Sequence, residues 1–158
     1  MRVIYAHQII PKDIHPSIFL AGPTPRDNSV RSWRPEATKI LRDLGFDGTI
    51  LIPEAEDGVW RNNYDDQIEW EWNGLSSASC IVFWIPRDLT TMPAFTTNIE
   101  WGRWYESGKI VLGYPEGTPK MSYFKYCAER NNIPQSDNLT ETLKQALAKI
   151  TSLGGFLP

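Results

Sequence analysis

The chain has 158 residues, 41% of them hydrophobic and 22% charged, with a net charge of −3 and a pI near 5.4. That length suits one domain over residues 1–158 with a proper core, and the acidic balance excludes broad binding to nucleic-acid polymers, which needs a basic face. Two histidines, two cysteines and apolar runs of no more than about seven residues leave too little for a zinc site, a Ser-His triad, a disulfide framework or a membrane span.

The start, Met1 to His7, lacks the apolar stretch of a signal peptide, so a cytoplasmic location is expected. Arg2–Ala6 reads as an extra strand or an arm. Ser17–Gly22 reads as a strand running into a Gly-Pro turn. Ser32–Leu44 has the marks of a helix, with Pro35 in its first turn and Gly45 as its stop. Gly48–Pro53 is a second strand, followed by an acidic loop over Glu54–Arg61. Asn63–Ala78 has helical spacing that puts Ile68, Trp72, Leu75 and Ser79 on one face. Cys80–Ile85 is a third strand, apolar enough to be buried on both faces, with Cys80 a small buried hydrophobe. A loop over Arg87–Phe95 leads to a helix over Thr97–Ser107, stopped by Gly108. Lys109–Gly113 is the fourth strand, and Lys120–Asn131 and Leu139–Ile150 are helices, the last capped by Asp137 or Asn138.

Strands alternating with helices imply a mainly parallel sheet with helices on both faces, an α/β doubly wound fold of flavodoxin-like or Rossmann-like kind. Its core spans about residues 17–115, and a helical C-terminal part about 119–150. In such folds the ligand sits beyond the C-terminal ends of the strands. That edge gathers Ala21-Gly22-Pro23, Pro53-Glu54, Pro86-Arg87-Asp88 and Tyr114-Pro115.

Three segments carry a resemblance. The Thr-x-x-Glu-x-Gly pattern of Thr97-Asn98-Ile99-Glu100-Trp101-Gly102, with Phe19-Leu20-Ala21-Gly22-Pro23 and Glu71-Trp72-Asn73-Gly74-Leu75, resembles, in order and spacing, three motifs of the nucleoside 2-deoxyribosyltransferases. Trp33-Arg34-Pro35-Glu36-Ala37 and Met92-Pro93-Ala94-Phe95-Thr96-Thr97 are similar to the branch called nucleoside 2-deoxyribosyltransferase-like. The resemblance implies an enzyme that cleaves the N-glycosidic bond of a (deoxy)nucleoside or nucleotide and moves 2-deoxyribose to another base. It implies nucleosides, nucleotides and free nucleobases as ligands, no cofactor and no metal, no membrane partner, and a homo-oligomer. Two rival readings keep the fold and change the activity: an N-glycosidase that uses water as acceptor, and a nucleotide-binding module without turnover.

On the family pattern Glu100 is the nucleophile and Glu71 the carboxyl that contacts or protonates the departing base. The residues themselves leave a second reading for each. Thr97-x-x-Glu100 also fits a capping box at a helix start, and most acids on the helix bearing Asp65, Asp66, Glu69 and Glu71 belong on a solvated face. Glu71 stands apart because its helical neighbours at three and four positions are Ile68, Leu75 and Ala78, and a carboxyl in an apolar row has its pKa raised.

Phe19, Ala21, Gly22 and Pro23 are the expected backbone wall of the site, with Gly22 allowing close approach to a ligand. Arg26 and Arg31 suit a 5′-phosphate or are surface charges. Asp66, Thr97 and Asn98 are further polar contacts, and Trp33 and Trp60 the aromatics placed to stack on a base. The chain departs from the family at Phe19, where a tyrosine is usual, at Ala94, where an aspartate is usual, at Glu71, which replaces an aspartate, and at Thr96, which replaces a glycine.

Overall fold

A computed structural model describes residues 1–25, 29–59 and 64–153. Among these residues the chain forms one parallel sheet of six strands: β1 (Arg2–Tyr5), β2 (Ser17–Ala21), β3 (Thr49–Ile52), β4 (Cys80–Trp84), β5 (Ile110–Gly113) and β6 (Gln135–Ser136). Five helices connect or flank them: α1 (Arg34–Asp43), α2 (Tyr64–Ser77), α3 (Phe95–Trp104), α4 (Ser122–Arg130) and α5 (Leu139–Leu153). The strand order is β1-β3-β2-β4-β5-β6. Without the outer β1 this is the flavodoxin-like order, and the doubly wound α/β fold expected from the strand–helix alternation is the fold observed. Among the described residues no helix is long and apolar enough to cross a membrane.

The two faces of the sheet follow from alternation along each strand. Phe19, Ala21, Ile81 and Phe83 face one way, into a core shared with Trp70 and Leu75 of α2, Trp101 of α3 and Phe124 of α4. Ile18, Leu20, Cys80, Val82 and Trp84 face the other way, against Ala37 and Leu41 of α1 and Leu143 and Ala146 of α5. Burial pushes the Cys80 thiol up to about 12, so it packs as an inert apolar group.

Arg2–Ala6 proves to be a strand, pairing in parallel with β3 from Arg2 against Thr49 to Tyr5 against Ile52. Gln135–Ser136 pairs with β5 although it has no apolar pattern, being two half-buried polar residues whose only qualification is backbone pairing. The buried face of α2 also differs from the expected one. Gln67, Trp70, Gly74 and Leu75 face inward, while Trp72 is 46% exposed beneath the Arg103 guanidinium, 4.5 Å from its ring centroid. The cause is Gly74. A Cβ there would stand 2.7 Å from the Phe19 ring, so the absence of one lets α2 turn that side onto the sheet. Ser79 lies past the helix, where its hydroxyl accepts from the Ser17 N–H at 3.0 Å.

The turn after β2 depends on Gly22. Its φ is +145°, and a Cβ there would stand 2.1 Å from the Trp84 carbonyl oxygen of β4. The close approach that glycine permits is therefore between two strand ends, which seals the seam between β2 and β4. Gly22→Ala is expected to destabilise the protein by about 3 kcal/mol or more, through steric overlap and a backbone conformation alanine resists. Urea unfolding of the variant against wild type measures it.

Candidate active site

Strands β2 and β4 are neighbours in the sheet but not in the chain. The connection leaving β2 goes to β3 on one side, and the one leaving β3 crosses back to β4 on the other. A crevice opens above their C-terminal ends for that reason. Here it is a cleft of about 470 Å³. Gly22, Pro23, Thr24 and Pro25 line it from the turn after β2, and Pro53 from the end of β3. Arg34 of α1 lines its floor. Tyr64, Gln67 and Glu71 of α2 form one wall, and Pro93, Ala94, Phe95, Thr96 and Glu100 the wall made by the start of α3.

Glu71 and Glu100 meet in this cleft. The two carboxyls stand close enough for each to perturb the ionisation of the other. Burial, then the charge of Glu71, pushes the Glu100 carboxyl up to about 8. Burial also raises Glu71, against a hydrogen bond from Gln67 Nε2 to its Oε1 at 2.7 Å and the nearby charge of Arg34. Two like groups in contact in a poorly solvated place cannot both ionise, so the pair titrates as a unit. A pair that shares one proton carries one negative charge.

The charge is balanced from below by Arg34. It is fully buried. Its Nε donates to the Leu20 carbonyl at 3.0 Å and its Nη2 to the Gly22 carbonyl at 2.7 Å. Its Nη1 donates to Thr24 Oγ1 at 3.0 Å and to Glu54 Oε1 at 2.5 Å. The guanidinium thus ties the ends of β2 and β3 together beneath the carboxyl pair. Glu54 is held in turn by the Ser32 hydroxyl at 2.9 Å.

The capping reading of Thr97-x-x-Glu100 does not survive the helix boundaries. α3 begins at Phe95, two residues earlier than expected. Ala94 is its N-cap, in the left-handed region with φ 61°, and no side chain caps it. Thr97 is the third helical residue, 1% exposed, and Glu100 lies in the second turn, beyond the free amides of the helix start.

The other expected contacts divide. Gly22 and Pro23 line the cleft with Glu71 and Glu100. Phe19 and Ala21 lie in the core beneath it, because they point into the face of the sheet covered by α2 and α3. Thr97 is turned into the protein. Asn98 is on the outside of α3, accepting from Arg87 Nη2 at 2.5 Å. Asp66 is exposed on α2, outside the lining, since the residues of α2 that face the cleft follow spacings of three and four through Tyr64, Gln67 and Glu71. Arg26 and Trp60 lie outside the described residues. Arg31 is exposed and does not line the cleft. Trp33 is buried, its Nε1 donating to the Pro23 carbonyl at 3.2 Å, so its ring is a prop for the turn. Of the strand-end segments, Pro86-Arg87-Asp88 and Tyr114-Pro115 stay outside the lining. Arg87 instead reaches the Lys120 carbonyl at 3.1 Å, over the Phe124 ring.

Sequence reasoning missed Arg34, Gln67, Tyr64 and Phe95. For Arg34 a signal existed: it shares its helical row with Ala37 and Leu41, so its side chain had to point inward. Gln67 could have been found four residues before Glu71, on the same stripe. Ala94, standing where an aspartate is usual, does line the cleft, and brings no charge to it.

A search of curated proteins found no match. The segments that build the cleft walls all fall within residues 15–118, the span that matches the family model described as nucleoside 2-deoxyribosyltransferase like. That match covers more than half of the chain, and the protein belongs to the nucleoside 2-deoxyribosyltransferase-like family.

Proposed function

We propose that the protein cleaves the N-glycosidic bond of a deoxynucleoside or deoxynucleotide through a glycosyl-enzyme ester on Glu100, and passes the 2-deoxyribose to a second base. The observation that carries the reading is the pairing of two carboxyls, Glu71 and Glu100, in the switch-point cleft, where burial raises both. Family membership supports a glycosyltransferase-type enzyme acting on nucleosides and nucleobases.

The chemistry needs one ionised and one protonated carboxyl, as retaining glycosidases do. The pair reaches its reactive form by passing the proton from Glu100 to Glu71, which leaves Glu100 ionised. A Glu100 oxygen bonds to the anomeric carbon as the carbon–nitrogen bond breaks, and the bonding electrons go to the base. Glu71 gives the base its proton, so the base leaves neutral. In the second half an incoming base attacks the same carbon, Glu100 recovers its electron pair, and Glu71 takes the proton back. The cation-like transition state gains from the adjacent negative charge. Gln67 fixes Glu71 through its amide, and the nearby Arg34 guanidinium favours the negative charge of the pair.

The test is product analysis by chromatography on deoxynucleosides and deoxynucleotides, with and without a second free base. A new nucleoside establishes transfer. Free sugar at the same rate with and without the second base reassigns the protein as an N-glycosidase. No product, with ligand bound, reassigns it as a binding module.

The reading fixes a pH dependence. The active form has one proton on the pair. Activity is expected to fall above about 8, where the pair loses its last proton, and to fall on the acid side at a pH above the ordinary glutamate value of 4.5, where the pair takes a second. The pH profile of kcat/KM checks this, and a profile flat from about pH 5 to 9.5 would sink the shared-proton mechanism.

Self-association is part of the same reading. Trp72, 46% exposed on α2, and Ile99, 74% exposed on α3, give the outer surface beside the cleft an apolar character that suits a contact between copies.

A further inference from the structure

Of the stacking residues expected from the sequence, Trp33 is a buried prop and Trp60 lies outside the described residues. Among the described residues, two other aromatic side chains line the cleft. Tyr64 is 55% exposed and Phe95 is 67% exposed, and they stand on opposite walls, one at the start of α2 and one at the start of α3. Each precedes a carboxyl of the pair on its own helix. Tyr64 lies seven residues before Glu71, about 10 Å along the helix axis, and Phe95 five residues before Glu100, about 7.5 Å. Both helices therefore present a ring toward the mouth and an acid toward the floor.

We propose that Tyr64 and Phe95 are the jaws that hold the nucleobase by its faces, and so set which flat ligands the cleft accepts. The inference rests on the proposed cleavage of an N-glycosidic bond, because that reaction places a base beside Glu71. Of the two parts of a nucleoside only the base has π-faces, and base–aromatic stacking tolerates different bases, since every base has such faces. Around the rings, Pro23, Pro25, Pro53 and Pro93 supply apolar surface without backbone donors. The polar side chains Gln67, Glu71 and Glu100 lie about one to two turns farther along α2 and α3 than the two rings. The division suits a ligand flat and apolar on its faces at one end and polar at its reacting bond. Phe95 also follows Ala94 directly, and the left-handed turn at Ala94, φ 61°, is what aims the first residue of α3 at the cleft.

The experiment is equilibrium dialysis of the full chain with free adenine, free cytosine and, as a ligand without π-faces, 2-deoxyribose. Wild type is compared with Tyr64→Ala, Phe95→Ala and Tyr64→Phe. Both rings are largely exposed, so truncation leaves the core contacts in place. Each alanine variant is expected to weaken base binding about 5- to 100-fold, to leave 2-deoxyribose binding as it was, and to raise KM for nucleosides by more than it lowers kcat. Tyr64→Phe, which keeps the ring, is expected to stay within about twofold of wild type. Base affinity unchanged in both alanine variants overturns the jaws. So does a failure of wild type to bind either base at about 10 mM, since two stacked faces of about 2 kcal/mol each give a Kd of about 1 mM. If cleavage persists and depends on Glu100 while base affinity ignores both rings, the jaws fail and the enzyme reading stands. If both rings govern base binding and no nucleoside is cleaved, the jaws stand and the enzyme reading fails.

Discussion

Glu100→Gln is expected to reduce product formation by about four orders of magnitude or more and, at alkaline pH, to make the protein more stable than wild type. The first effect follows from the chemistry. An amide cannot form the glycosyl ester, and removal of a covalent nucleophile leaves only binding and electrostatics behind. The second follows from linkage. The folded state holds the Glu100 proton up to about pH 8, while an unfolded chain releases it near 4.5. Below 4.5 both states are protonated and the carboxyl costs nothing. As the pH rises from 4.5 to 8 the unfolded state gives up its proton first, so wild-type stability declines across that window, and the whole penalty is present above it. Glutamine has no proton to lose and no charge to bury. The gain at about pH 9 is expected to be 2–3 kcal/mol, roughly half the full equivalent at about 1.4 kcal/mol per tenfold change in proton affinity, because the cleft partly solvates the carboxyl. Urea unfolding of both proteins at about pH 4.5 and 9 measures it. A Gln variant no more stable than wild type at the higher pH would mean that the carboxyl is solvated, and would remove the physical basis of the shared proton.

Arg34→Met is expected to cost about 3–5 kcal/mol, enough to leave many chains unfolded at ordinary temperatures. Methionine matches the length of the buried stem but leaves the Leu20 and Gly22 carbonyls, the Thr24 hydroxyl and the Glu54 carboxylate without the donor they share. Glu54 is the severe case, a half-buried charge losing its ion pair. Arg34→Lys is expected to recover less than half of the loss. One ammonium cannot reach both strand ends, whereas the planar fork of arginine does so with fixed geometry. The measurement is the urea midpoint of each variant. Glu54→Gln separates the ion pair from the hydrogen bonds: it keeps an acceptor for Arg34 Nη1 and should cost much less than Arg34→Met. If Arg34→Met unfolds like wild type, the guanidinium is no keystone of the strand ends.

How much of this could be read from the sequence differs by level. The doubly wound sheet was legible because its cause is local: Ile18 to Ala21, Cys80 to Trp84 and Ile110 to Leu112 are apolar on both faces, and the segments between them carry helical spacing. β6 was not, because Gln135 and Ser136 join the sheet through backbone groups that every residue has. Glu71 and Glu100 could be named from their motifs, but their meeting could not. It depends on α2 and α3 flanking β4 at one end, a matter of tertiary placement. The wrong face assigned to α2 has the same origin. Trp72 is apolar by composition, yet a glycine two residues later decides which side meets the sheet. Helix starts were misplaced where the local rule failed. Thr97 has the chemistry of a cap, and the chain begins α3 at a left-handed alanine instead.

Four of the twelve prolines, Pro23, Pro25, Pro53 and Pro93, stand around the cleft. A proline has one soft backbone angle where other residues have two, and no N–H to trade between partners. At these four positions the rim has little conformational freedom left to lose when a ligand arrives. The ordering cost falls on folding, when the chain is made, and is absent from each binding event. Small ligands should therefore enter and leave quickly, with occupancy governed by their concentration and by release of water from the walls.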